Sequence, residues 1–151
     1  MGLRPMHMGD VSRVAEADRI SYDFPWTAGN FADALSAGYR CCVYEHRSEI
    51  VAYAVLMPVL DELHLLNLTV VPAQQNSGYG RALLQRMLAC AREEHFLTMW
   101  LEVRPSNEAA RHLYGQTGFS VVGLRKQYYP ALGGGREDAL LMYRDVVRPD
   151  E

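Results

Sequence analysis

A mixed α/β sheet flanked by about four helices is predicted by three features of the chain. Short apolar runs of strand length fill residues 40–71, an apolar strand at 63–71 passes through a glycine-bearing turn into an amphipathic helix, and a further apolar strand at 98–103 precedes a helix stopped by Gly118. A strand, a helix and a second strand in that order predict a right-handed βαβ unit with its two strands parallel. With 151 residues, of which 49% are hydrophobic and 22% charged, the chain supports one ordinary core, so a single domain over 1–151 is expected.

The first strand is placed at 2–6. A helix follows over 10–20, because Val11, Val14, Ala15 and Asp18 recur with a helical rather than an alternating period. Phe24-Pro25-Trp26 breaks it. Thr27 can cap a second helix carrying Phe31, Ala34 and Leu35, and Gly38 ends that helix. Strands at 40–45, 49–59 and 62–71, turned at His46-Arg47-Ser48 and Leu60-Asp61, form an antiparallel meander. Beyond the glycine turn, Ala82, Leu83, Met87, Leu88 and Cys90 or Ala91 make the apolar stripe of a helix reaching about Glu94. A helix at 107–117 then leads to strands at 119–128 and 138–145, joined through Gly133-Gly134-Gly135, with a charged tail after Tyr143.

Charge and cysteine usage exclude several classes. A formal net charge of -3 and a pI near 5.9, with no basic block, argue against broad nucleic-acid binding. Cys41, Cys42 and Cys90 lack metal-ligand spacing and read as buried, reduced thiols, with the vicinal pair pointing to opposite faces of a strand. His7, His46, His64, His95 and His112 show no ligand spacing either, so no metal is expected. His64, on an apolar strand, reads as packed or hydrogen-bonded. No secretory signal or membrane-spanning run stands out, which points to a cytoplasmic protein.

The turn Gln75-Asn76-Ser77-Gly78-Tyr79-Gly80-Arg81 is suited to a phosphate. Gly78 and Gly80 let backbone amides approach an anion, and the amides opening the next helix add the positive end of its dipole. A nucleotide P-loop needs Lys-Ser/Thr where Arg81-Ala82 stands, and a dinucleotide fingerprint needs a small residue where Leu83 stands. An ordinary glycine turn capping a surface helix remains the plain alternative.

The Q-x-x-G-x-G pattern of Gln75, Gly78 and Gly80, together with Leu101-Glu102-Val103-Arg104-Pro105-Ser106-Asn107 and the run to Tyr114-Gly115-Gln116-Thr117-Gly118-Phe119, resembles the GNAT superfamily of N-acetyltransferases, and within it the RimI-type ribosomal-protein-alanine N-acetyltransferases. Phe24-Pro25-Trp26, Tyr128-Tyr129-Pro130 and Gly135-Arg136-Glu137-Asp138-Ala139 extend the likeness over almost the whole chain. The resemblance implies the GNAT fold, with two central parallel strands splayed around the pantetheine arm of acetyl-coenzyme A. It implies acetyl transfer to the α-amino group of an N-terminal alanine of a small-subunit ribosomal protein, so that the partner is a peptide rather than RNA or membrane, met by a monomer. The same scaffold would equally serve other protein N-termini, lysines or a small amine, and a non-catalytic acyl-coenzyme A-binding module is the alternative of another class.

Acetyl transfer needs a neutral amine, whereas an α-amino group titrates at about 7.7–8.0 and is mostly protonated at neutral pH. Glu102 is the one acid of its strand, beside Trp100 and Leu101, so it is partly desolvated and suited to act as a base. The resemblance assigns the base to it; pairing with Arg104 is the structural alternative. The resemblance likewise makes Tyr114 the acid that protonates the departing thiolate, against a tyrosine that only packs its ring. It places the thioester along Leu68, Thr69 and Val70, the pyrophosphate on Asn76, Ser77, Gly78, Tyr79, Gly80 and Arg81, and a further cofactor contact on Asn107, which could instead only cap its helix. Asn76-Ser77 replaces a more basic pair found in many relatives, so affinity should rest more on amides than on charge. Phe24, Trp26, Tyr128 and Tyr129 would wall the peptide groove, or fill core and edge positions.

Overall fold

The computed structural model describes residues 2–147. Seven strands, β1 (Gly2–Pro5), β2 (Arg40–His46), β3 (Glu49–Val59), β4 (Glu62–Val70), β5 (Thr98–Val103), β6 (Ser120–Pro130) and β7 (Arg136–Asp145), form a mixed sheet in the order β1-β2-β3-β4-β5-β7-β6. Four α-helices accompany them among the described residues: α1 (Val11–Ser21), α2 (Ala28–Ser36), α3 (Tyr79–Glu93) and α4 (Glu108–Gln116). The parallel pair is β4 with β5, from Glu62 opposite Thr98 to Leu65 opposite Leu101. The pairs β1–β2, β2–β3, β5–β7 and β6–β7 are antiparallel.

The chain divides into two compact units, one running to Pro58 and including Leu66–Leu84, the other comprising Val59–Leu65 and the chain from Gln85 onward. In the first, Val11, Val14 and Ala17 of α1 and Phe31 and Ala34 of α2 are buried with Met6, Val43, Tyr53 and Val55. Phe31 is its wedge, 5.1 Å from the Trp26 ring and edge-on to Tyr53 at 5.8 Å. Thr27 caps α2 by accepting from the Asn30 N–H while Asn30 Oδ1 accepts from the Thr27 N–H, and Gly38 closes the helix at φ +81°. Ala15 is only half-buried, so the helix turns Ala17 inward where the sequence suggested its neighbour.

In the second unit β5 alternates strictly. Met99, Leu101 and Val103 are buried, whereas Thr98, Trp100 and Glu102 share the less buried face. Tyr114 and Phe119 bracket the end of α4, where Gly118 takes φ +94° and the Phe119 N–H bonds to the Tyr114 carbonyl. Two expectations need correction here. On α3, Ala82 is exposed and Leu84 takes its place in the buried stripe, since the helix runs Leu83, Leu84, Met87, Leu88, Ala91 inward. The charged tail starts later than Tyr143, because β7 continues to Asp145 and the N–H of buried Val146 bonds to the Leu97 carbonyl; the remainder of that tail, 148–151, lies outside the described residues.

Cys42 is buried, but Cys41 and Cys90 are only half-buried, against the expectation of three buried thiols. Alternation along β2 explains the contrast within the vicinal pair, and burial still pushes the Cys41 thiol up to about 11. His64 meets its expectation: Nε2 lies 2.9 Å from Glu62 and the ring stacks over Trp100.

Candidate active site

In the first unit the glycine turn follows β4 through a short 3-10 segment, Pro72–Gln74. Gln75 donates its Nε2 to the Val70 carbonyl at 3.1 Å, which ties the turn back to the strand end. Asn76 and Gly78 both take left-handed conformations, φ +65° and +83°, and a Cβ built on Gly78 would meet nothing within 4 Å. The space beside Gly78 is therefore open. The first helical bond runs from the Ala82 N–H to the Gly78 carbonyl, so the Tyr79 and Gly80 amides belong to the first turn, whose N–H groups have no intrahelical acceptor. The Tyr79 ring packs edge-on against Tyr44 at 5.0 Å and anchors the start of α3. This arrangement fits an anion held by amides, and the exposed Asn76, Ser77 and Arg81 line the same turn.

The strand end 68–70 is fixed by a network that sequence reasoning missed. Tyr22 Oη lies 2.6 Å from Thr69 Oγ1, which donates to Asn67 Oδ1 at 2.6 Å; Asn67 Nδ2 donates to Asp18 Oδ1 at 3.2 Å. Since the Thr69 proton goes to Asn67, Tyr22 must be the donor to Thr69. Asp18 also accepts from the Tyr53 hydroxyl at 2.6 Å and from the Trp26 N–H at 2.7 Å. Burial first, and then the Asp18 carboxylate it faces, push the Tyr53 phenol far above its usual range; burial also raises Tyr22. Both hydroxyls therefore remain donors at ordinary pH. One carboxylate, 1% exposed, thus holds the strand carrying Leu68, Thr69 and Val70 and the loop carrying Trp26. The helical period placed Asp18 inward, but its partners lie 35 and 49 residues away.

Asp18→Ala should destabilise the fold by about 2–5 kcal/mol, because the buried Tyr53 hydroxyl loses its acceptor at about 1–3 kcal/mol and the part-buried Trp26 and Asn67 N–H groups, which water can reach in part, lose theirs at less. At this chain length the melting temperature should fall by about 5–15 °C, read by calorimetry or thermal circular dichroism. A fall below about 2 °C would mean that water replaces the carboxylate without cost. Trp26, besides touching Phe31, lines an open cavity of about 400 Å³ with Asn30, Asp33, Ala34, Ala37 and Tyr39. Phe24 is 44% exposed.

In the second unit Glu102 does not pair with Arg104. Arg104 donates to Glu137 at 3.3 Å and to the Pro130 carbonyl at 2.8 Å, while its guanidinium lies over the Tyr129 ring, 4.4 Å from the centroid. Glu137 is further held by the Ser106 N–H and hydroxyl, and these donors together with Arg104 keep its carboxyl below the usual range. The cation beside Glu102 is Arg125, with Nε 3.4 Å from Oε2. That contact is an ion pair without a directed hydrogen bond, and Oε2 is buried with no hydrogen-bond partner. A shielded carboxylate oxygen with an unused lone pair can accept a proton.

Tyr128 and Tyr129 meet edge to face at 5.0 Å in the same cluster. They come from an irregular stretch of β6 whose register shifts between Arg125 and Tyr129, with Gln127 at φ +50°. Asp138 Oδ1 accepts the Gln127 N–H, and Arg136 bonds the Gln127 and Tyr128 carbonyls, so the bulge is pinned from β7. Burial first, and then the Glu102 charge, push the Tyr129 phenol up to about 12, so it stays neutral at pH 7. Tyr114 is 7% exposed with its ring edge-on to Phe119 at 5.8 Å. Asn107 caps α4, its Oδ1 accepting from the Ala110 N–H at 3.1 Å. The structure thus gathers Glu102, Tyr128 and Tyr129 into one cluster, and separately joins Leu68, Thr69 and Val70 to the glycine turn. Among the described residues no group of three or more His, Cys, Asp or Glu side chains could hold a metal ion.

The model of the Acetyltransferase (GNAT) family matches residues 11–119. A [ribosomal protein bS18]-alanine N-acetyltransferase of Haemophilus ducreyi is 37% identical over 133 residues, covering 88% of this chain and 92% of that protein. The enzyme of the same name from Escherichia coli K12 is 36% identical, over 88% of this chain and 89% of its own. The crystal structure of the ribosomal-protein-S18-alanine N-acetyltransferase from Escherichia coli superposes with a TM-score of 0.91 at 33% identity, covering 97% of this chain and 94% of that one. With the mixed seven-stranded sheet, the glycine turn opening α3 and the shielded Glu102, these matches show that the chain belongs to the acetyltransferase (GNAT) family, whose co-substrate is acetyl-coenzyme A.

Proposed function

We propose that the protein transfers acetyl from acetyl-coenzyme A to the α-amino group of an N-terminal alanine on a small-subunit ribosomal protein, the counterpart of bS18. The observation that carries this reading is the 37% identity over 88% of the chain with an enzyme of that name. The chemistry of the residues is consistent with it. Glu102, through its buried and unbonded Oε2, takes the proton that the attacking amine must lose. The Tyr79 and Gly80 amides and the open face of Gly78 hold the pyrophosphate, and the strand end 68–70 orients the thioester. Asn107 contributes with the part of its amide that the helix cap leaves over. The co-substrate supplies an activated acyl group; Tyr114 gives the departing thiolate its proton. Phe24, Trp26, Tyr128 and Tyr129 guide the peptide.

Release of thiol from acetyl-coenzyme A, followed with a panel of short peptides, tests the acceptor. A peptide with the bS18 N-terminal sequence and a free alanine amine should react fastest, and the same peptide acetylated on that amine should not react. Equal rates with a lysine side chain or a small polyamine would overturn the N-terminal reading. No thiol release with any acceptor, while acetyl-coenzyme A still binds, would favour a binding module.

A further inference from the structure

The cluster around Glu102 already contains a cation, and the groups that hold it are those an ammonium would choose. Arg125 lies on β6 with its side chain 58% exposed. Its Nε faces Glu102 Oε2 at 3.4 Å, and its guanidinium carbon sits 4.6 Å from the centroid of the Tyr128 ring. A carboxylate oxygen and an aromatic face are the two partners that recognise a substituted ammonium group. Arg104 shows what a fixed arginine looks like in the same neighbourhood: it lies over Tyr129 but is bonded at both the Pro130 carbonyl and Glu137. Arg125 has the ring and an ion pair whose N–H misses the oxygen. That is a hold without a hydrogen bond.

We infer that Arg125 is an internal stand-in for the acceptor amine: in the free enzyme its guanidinium occupies the Glu102–Tyr128 position, and the substrate's α-ammonium displaces it on binding. The inference rests on the reading of Glu102 as the group that meets the acceptor amine. A bare carboxylate with a buried oxygen is costly, and a resident cation removes that cost before substrate arrives. Replacement of one cation by another then leaves the local charge unchanged. Because Arg125 stands on a strand whose other side chains there are exposed, its displaced guanidinium has solvent to move into. A neutral acceptor lacks the charge to exchange, so the device selects amines over alcohols and blocked N-termini. Glu102, Tyr128, Arg104 and Arg125 are the groups whose charges act on Tyr129, which remains neutral at pH 7, and Glu137 adds a second carboxylate that is paired with Arg104.

The test is a double-mutant cycle read by calorimetry on the full chain with coenzyme A bound, using a free-amine alanine peptide and its Nα-acetylated form. Arg125→Ala and Arg125→Gln should each tighten the free-amine peptide by about two- to fivefold, the worth of a partly exposed ion pair, and leave the acetylated peptide unchanged. In the Glu102→Gln background the same replacements should have no effect. Arg125→Lys should stay near wild type. Weaker or unchanged binding of the free-amine peptide to both neutral variants would overturn the inference, as would equal tightening of the blocked peptide. Failure of the base reading gives a different signature, wild-type turnover by Glu102→Gln, which this binding cycle does not use.

Discussion

Glu102→Gln is expected to slow acetyl transfer by about 10²–10⁴, the usual contribution of a positioned acid or base, while the dissociation constant for acetyl-coenzyme A stays close to wild type. Glutamine keeps the size and planarity of the side chain, so the β5 pairing of residue 102 with Leu141 should survive. The replacement cannot take up a proton from the amine. An α-amino group is mostly protonated below about pH 7.7–8.0 and mostly neutral above it, so the defect should be largest near neutrality and shrink as the pH rises past 8. Single-turnover rates from pH 6.5 to 9.5 read both effects. Wild-type rates throughout would leave Glu102 as a strand-end carboxylate whose business is only the ion pair with Arg125.

What the sequence made legible was local. Thr27, Gly38 and Gly118 announce helix ends because a cap or a left-handed turn needs only a few neighbouring residues, and each is found in that role. The strand at 98–103 was legible as an apolar run with Glu102 its one acid, whereas its alternation, which leaves Thr98, Trp100 and Glu102 on the less buried face, emerges from the structure. Two features were out of reach. The inward Asp18 follows the period of α1, but its role depends on Tyr53 and Asn67, brought to it by the fold. Arg125 stands beside Glu102 in place of Arg104 because β6 pairs with β7, which pairs with β5, while Arg104 is drawn off to Glu137 and the Pro130 carbonyl; those are contacts across strands that no local signal marks. Residues near Glu102 in sequence were thus a poor guide to its partner.

Tyr114→Phe should lower kcat by about 10²–10⁴ if the phenol protonates the departing thiolate, and it should do so with the ring still packed against Phe119. Deleting one hydroxyl leaves the aromatic area of a residue only 7% exposed, so the thermal transition should move little. Activity alone does not separate an acid from a residue that positions one, but the leaving group does. An acyl donor whose thiol is more acidic than that of coenzyme A needs less help to depart, so the gap between Tyr114→Phe and wild type should narrow with such a thioester. A residue that aligns the acceptor would instead impose the same loss with either donor. Equal rates of variant and wild type with acetyl-coenzyme A would return Tyr114 to the core of α4 and leave water to protonate the thiolate.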